Sequence, residues 1–119
     1  MNVAFSGCTL NIDTHSIEMP WPVLSAAEDG ELVFVLLDPD AYLLDPNYKS
    51  SRRAGAAAIR NLVAFNREGE RIWKAEFPEA SDYYYKITSI APLMVQSFSS
   101  YSCEIDRGNG RITNKVFCK

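Results

Sequence analysis

Asp38, Asp40 and Asp45 come nearest to a chemical constellation in this chain. Carboxylates so closely spaced are the groups that ligate hard cations or share a proton between acid and base. A calcium loop, however, also needs a glycine and a closing glutamate at fixed spacing, and neither is present. Asp38-Pro39-Asp40 and Asp45-Pro46-Asn47 read instead as turn formers, since proline presets φ and aspartate or asparagine bonds local backbone. His15 is the single histidine and stands in no Ser-His-Asp or Cys-His arrangement. Cys8, Cys103 and Cys118 include no Cys-x-x-Cys, so a zinc site lacks ligands at suitable spacing. Gly108-Asn109-Gly110 joins two strand-like runs rather than opening a helix, which argues against a phosphate loop. The expectation is no enzyme, no cofactor and no metal. A carboxylate hydrolase using Asp38 and Asp40 is the catalytic alternative.

The charges say more about partners than about catalysis. Net charge is −3, yet residues 1–50 hold eight acidic side chains against one basic, a balance of −7, and residues 51–119 hold seven against eleven, a balance of +4. The acidic groups gather in Glu28, Asp29, Glu31, Asp38, Asp40 and Asp45. Such a set attracts a basic protein and repels nucleic acid, or else is a plain solvated face. Tyr42 and Tyr48 lie in the same stretch as aromatic anchors for an interface. The second half offers arginines, lysines and the Tyr83-Tyr84-Tyr85 run as stacking faces, but a pI of 5.1 is far from the basic footprint of a nucleic-acid binder. Tyr84 alternates against its neighbours, so at least one of the three is expected at the surface. No apolar run approaches the roughly 20 residues of a membrane span, and the first ten residues lack a basic region followed by an apolar one. An odd number of cysteines fits a reducing compartment better than a disulfide framework, so the expected location is cytoplasmic.

The elements that must position these residues are short strands. Ile59 to Phe77 holds two apolar, β-prone runs around Asn66-Arg67-Glu68-Gly69, the clearest hairpin in the chain. Cys8–Ile12 and Ser16–Trp21 form a pair about Asp13-Thr14, the second kept to an edge by Pro20 and Pro22, with Trp21 as a plug at the sheet end. Residues 25–30 read as a polar turn. Glu31–Leu37 is almost continuously apolar, which predicts a central strand covered on both faces. Asp38–Ala58 is the one long loop, with a short helix as one option over residues 50–58, starting near Ser50 or Ser51. Strands follow at Asp82–Ile90, Leu93–Phe98, Tyr101–Asp106 and Arg111–Cys118. The fold expected over residues 1–119 is a single all-β domain, an antiparallel meander of about nine short strands closing as a partly open barrel or a sandwich. Asn66, Arg67, Arg71, Ile72 and Phe77 match Asp106, Arg107, Arg111, Ile112 and Phe117 at an offset of 40, which shared turn chemistry explains more cheaply than true repetition.

These residues also carry a likeness. VFVLLD, a loop, NLVAFNREGERIWKAEF, a Tyr-rich strand and SFSSYSCEIDRGNGRITNKVFCK, spanning about residues 30–119, resemble immunity proteins of bacterial contact-dependent inhibition systems. Their shared motifs are mostly fold-determining hairpin residues: asparagine-aliphatic-x-Ala-Phe, Gly-x-x-Ile-Trp and Ile-Asp-x-x-x-Gly-x-Ile. The resemblance implies a protein that is not an enzyme and that binds one cognate toxin domain, often a basic nuclease, covering its active site or substrate groove. Neither nucleic acid, membrane nor small-molecule substrate is then an expected partner. Interface residues vary among such proteins and none transfers by motif. The charge pattern supplies its own candidates for the toxin-facing surface: Glu28, Asp29, Glu31, Asp38, Asp40, Tyr42, Asp45 and Tyr48. A non-catalytic structural or interaction β-domain unrelated to toxins is the alternative.

Overall fold

The computed structural model describes residues 2–118. Eleven strands and two short helices follow in order: β1 (Val3–Ser6), β2 (Thr9–Ile12), β3 (His15–Glu18), β4 (Val23–Asp29), β5 (Leu32–Leu37), α1 (Pro39–Leu43), α2 (Pro46–Arg53), β6 (Leu62–Asn66), β7 (Arg71–Lys74), β8 (Tyr84–Ile90), β9 (Leu93–Ser97), β10 (Tyr101–Ile105) and β11 (Ile112–Phe117). They form three open antiparallel sheets: β1-β2-β3, β4-β5-β6-β7 and β8-β9-β10-β11. The result is an all-β sandwich, not a closed barrel.

The middle sheet explains the sandwich. β5 pairs with β4 on one side and β6 on the other. Its side chains alternate between two separate cores. Phe34 and Leu36 join Leu62, Ala64, Trp73 and Ala75 against the inner face of the third sheet, where Tyr84, Leu93, Val95, Cys103 and Ile105 are buried. Val33, Val35 and Leu37 join Val63 and Phe65 on the opposite face, under Leu10 and Ile12 of the small sheet. A strand covered on both sides has no position left for a polar residue, hence the unbroken apolar run.

A polar clamp fixes one sheet to the next. Asn61 is fully buried. Its amide donates to the carbonyls of Leu37 and Tyr84, and its Oδ1 accepts from Tyr84 N, at 2.7–3.0 Å. Burying an amide is tolerable when its partners are present. Here they belong to different sheets.

The hairpins obey the predicted chemistry. Asn66 Oδ1 accepts from the backbone N–H groups of Glu68 and Glu70, and Gly69 sits at φ +80°. Asp106 Oδ1 accepts from Gly108 N in the second hairpin. Both hairpins supply the third and fourth strands of a four-stranded meander, which is the structural setting of the sequence match at offset 40. They also interlock. Trp73 Nε1 donates to Arg107 O at 2.8 Å, Gly110 packs on the Trp73 ring, and Glu76 N donates to Gly110 O.

Several elements differ from the expected ones. Residues 25–30 are not a turn; all but Gly30 belong to β4, because ladder pairing with β5 overrides the weak strand preference of Ala, Glu and Asp. With β1 unread as well, the count is eleven rather than nine. Asp38-Pro39 and Asp45-Pro46 do not make simple turns: each aspartate is an N-cap and each proline opens a helix. The helix therefore begins at Pro46, not at Ser50, and the Ala-rich residues 54–58 lie beyond its end. That run is tied down otherwise, with Ala56 O accepting from the Arg52 guanidinium and Ile59 N donating to Tyr48 Oη.

Candidate functional site

The two helices fill the connection between β5 and β6 and form a corner at one end of the sandwich. Asp38 Oδ1 accepts from Asp40 N at 3.0 Å, and Asp45 Oδ1 accepts from Asn47 N at 2.8 Å. Both carboxylates are thus engaged in starting helices too short to hold themselves together. Asp40 is exposed. Tyr42 is buried, 1% accessible, between Trp21 at 5.7 Å and Tyr48 at 5.1 Å between ring centroids. It is therefore no surface anchor: its ring holds the helices onto the sheet end. Burial, more than the neighbouring tyrosines and Asp38, pushes its hydroxyl well above the ordinary tyrosine range. Among the described residues Tyr42 Oη has no hydrogen-bond partner.

Beside this corner runs a groove of about 380 Å³ between α2 and the start of β8, walled by Leu43, Tyr48, Arg52, Tyr83 and Phe98. Tyr83 and Phe98 stack at 5.0 Å. Phe98 is 65% exposed, and Leu44 at the end of α1 is 72% exposed. Partial burial first, and Asp40 second, raise the Tyr83 hydroxyl above its usual range. Asp82 at the groove's edge is buried and fully occupied, accepting from Tyr83 N, Ser99 N and Ser99 Oγ. Its role is to hold the turn that presents Phe98. Lys49, Arg52 and Arg53 of α2 match Asp38, Asp40 and Asp45 in number, so the corner carries no net charge.

The expected acidic surface does not form. Glu28, Asp29 and Glu31 lie at the far end of β5 from Asp38, separated by its six residues, roughly 20 Å of strand. There Arg107 meets Asp29 at 2.5 Å and Arg67 meets Glu31 at 3.5 Å. Two arginines of the basic second half thus pair with carboxylates of the acidic first half within the molecule. Asp38, Asp40, Asp45 and Tyr48 do come together, over Tyr42. Tyr83 joins them as an outcome of the Tyr-rich strand, while Tyr84 faces the core and Tyr85 faces solvent. Leu44 and Phe98 are what sequence reasoning missed. Leu44 lies in the stretch read as a loop and Phe98 closes a run read as a strand, and only the tertiary arrangement leaves both uncovered.

Among the described residues no three His, Cys, Asp or Glu side chains converge as a metal site would require. The cysteines are unpaired thiols, and no described helix is long and apolar enough to cross a membrane. Residues 1–117 match the family described as Domain of unknown function (DUF7957). The chain belongs to that family. The match takes in β1 to β11 and so spans all three sheets of this chain together with the helical corner. No curated protein and no solved structure matches this DUF7957 chain.

Proposed function

We propose that this DUF7957 chain is a non-catalytic binding protein that docks a partner on its α1–α2 corner, and that the partner is a toxin domain it neutralises. One observation carries the reading. Exposed Phe98 stacks on half-buried Tyr83 at the mouth of an apolar groove whose other walls include Leu43 and charged side chains of both signs, Lys49, Arg52, Arg53 and Asp82. Apolar anchors inside a polar rim are the anatomy of interfaces in which a few residues dominate affinity. The likeness of residues 30–119 to immunity proteins supplies the class of partner. A charge-balanced corner fits anchoring by aromatic packing better than acidic mimicry of a phosphate backbone. It also accommodates toxins other than nucleases.

The test is co-expression with the C-terminal domain encoded immediately upstream, with affinity purification and a growth assay. One-to-one co-purification and rescued growth are expected. Phe98→Ala and Asp40→Lys should each weaken the complex about tenfold or more while leaving the fold intact. Retained affinity in both variants would move the interface elsewhere. Absence of both binding and rescue would leave the second reading, an interaction β-domain unrelated to toxins, which the same exposed patch favours equally.

A further inference from the structure

A second and larger groove, about 720 Å³, lies on the other face of the middle sheet. The small sheet covers that face only in part, and the groove runs along the uncovered strip between the edge strands β3 and β7. Its floor is apolar: Val63 and Phe65 of β6, with Met19, Trp21 and Leu37 toward one end. Its rim is basic. Arg71 stands opposite Phe65 and Lys74 opposite Val63 in the ladder, and Arg60 lies on the approach to β6.

The basic rim follows from a defect in pairing. Simple alternation from Lys74 would place Arg71 on the opposite face. A bulge between Ala64 and Phe65 inserts Ile72 as an extra residue and returns Arg71 to the face of Lys74. All three cations are exposed, and among the described residues none forms an ion pair. Arg67 and Arg107, by contrast, find carboxylates. Among the described residues Glu18 is the only acidic side chain lining the groove, and it accepts a hydrogen bond from Thr9 Oγ1 at 2.6 Å.

We infer that this groove binds an extended acidic segment of a partner protein, with apolar side chains on Val63, Phe65 and Trp21 and carboxylates on Arg60, Lys74 and Arg71. Spacing decides against a compact anion. Lys74 and Arg71 stand two ladder positions apart, roughly 7 Å, and Arg60 precedes β6 by two residues, so the three cations are set in a row along the groove rather than around one point. An extended chain alternates its side chains with a period that matches an apolar floor beside a charged rim. β3, paired on one side only, adds main-chain groups along the wall.

The probe is a short fluorophore-labelled peptide alternating glutamate and valine, followed by anisotropy and by the NMR signal of the Trp21 indole. Expected are saturable binding, a shift of that indole, and weakening with added salt. R60E/R71E/K74E should lose about tenfold in affinity, as three exposed pairs of ordinary strength would. The same peptide with lysine for glutamate should not bind, a control that needs no variant to fold. Equal binding of both peptides, unchanged affinity in the triple variant, displacement by equimolar inorganic phosphate, or no binding at all would each overturn the inference. The corner variants Phe98→Ala and Asp40→Lys should leave peptide binding untouched, which separates this site from the first.

Discussion

Asn61 and Tyr42 show how differently two buried polar side chains behave. Asn61 makes three hydrogen bonds across two sheets, so removing it orphans Tyr84 N and two carbonyls in a dry site. Asn61→Ala should cost about 2–4 kcal/mol in urea unfolding. Tyr42 has a hydroxyl with nothing to bond among the described residues, so Tyr42→Phe should be neutral or stabilising by about 1 kcal/mol, whereas Tyr42→Ala should cost about 3–5 kcal/mol for the cavity. The same burial sets an alkaline limit. Tyr42 and Tyr84 hold their protons in the folded state above the pH at which the unfolded chain releases them. The folded state then binds more protons, so the stabilisation is complete below about pH 10 and is lost as pH rises beyond it. Melting temperature followed upward from that pH should fall steeply in the parent and less steeply in Tyr42→Phe.

The hairpins are where sequence and structure agree most closely, and the reason is local chemistry. Asn66, Gly69, Asp106 and Gly110 act through their own backbone within four residues, which a linear reading can see. The run Leu32–Leu37 was legible for a similar reason: a two-faced strand leaves its mark on every position. β4 was not legible, because Ser25-Ala26-Ala27-Glu28-Asp29 owes its strand state to β5 rather than to itself. The corner was half legible. The Asp-Pro pairs marked a change of direction, but they read as turns because the helices they cap are held by Tyr42 packing, a tertiary fact. The acidic surface failed because charge was counted along the chain, while Arg67 and Arg107 return through space to Glu31 and Asp29. A test at this scale is Gly110→Ala. A Cβ there would lie 2.7 Å from the Trp73 ring at φ +77°, so steric and backbone strain add, and a loss of about 2–5 kcal/mol is expected by thermal or urea unfolding. Gly69→Ala meets only Ile17 and His15 side-chain atoms at 3.2–3.3 Å and should cost less.

Across the whole molecule the three sheets are unequal partners. The middle sheet contributes to both cores, the third sheet to one, and the small sheet lays three four-residue strands over a face wide enough to leave a groove beside it. Opening of structure follows packing, and strands with few buried contacts release first. Amide hydrogen exchange should therefore resolve two tiers. The β5 and β6 amides, shielded from both sides, should exchange only by global unfolding, while those of β1–β3 exchange faster through a separate, cheaper opening. Uniform protection across all eleven strands would contradict this. The groove beside β3 then acquires a thermodynamic meaning: an acidic segment seated there would slow exchange in the small sheet without touching the deepest amides. Occupancy could be read as the disappearance of the faster tier.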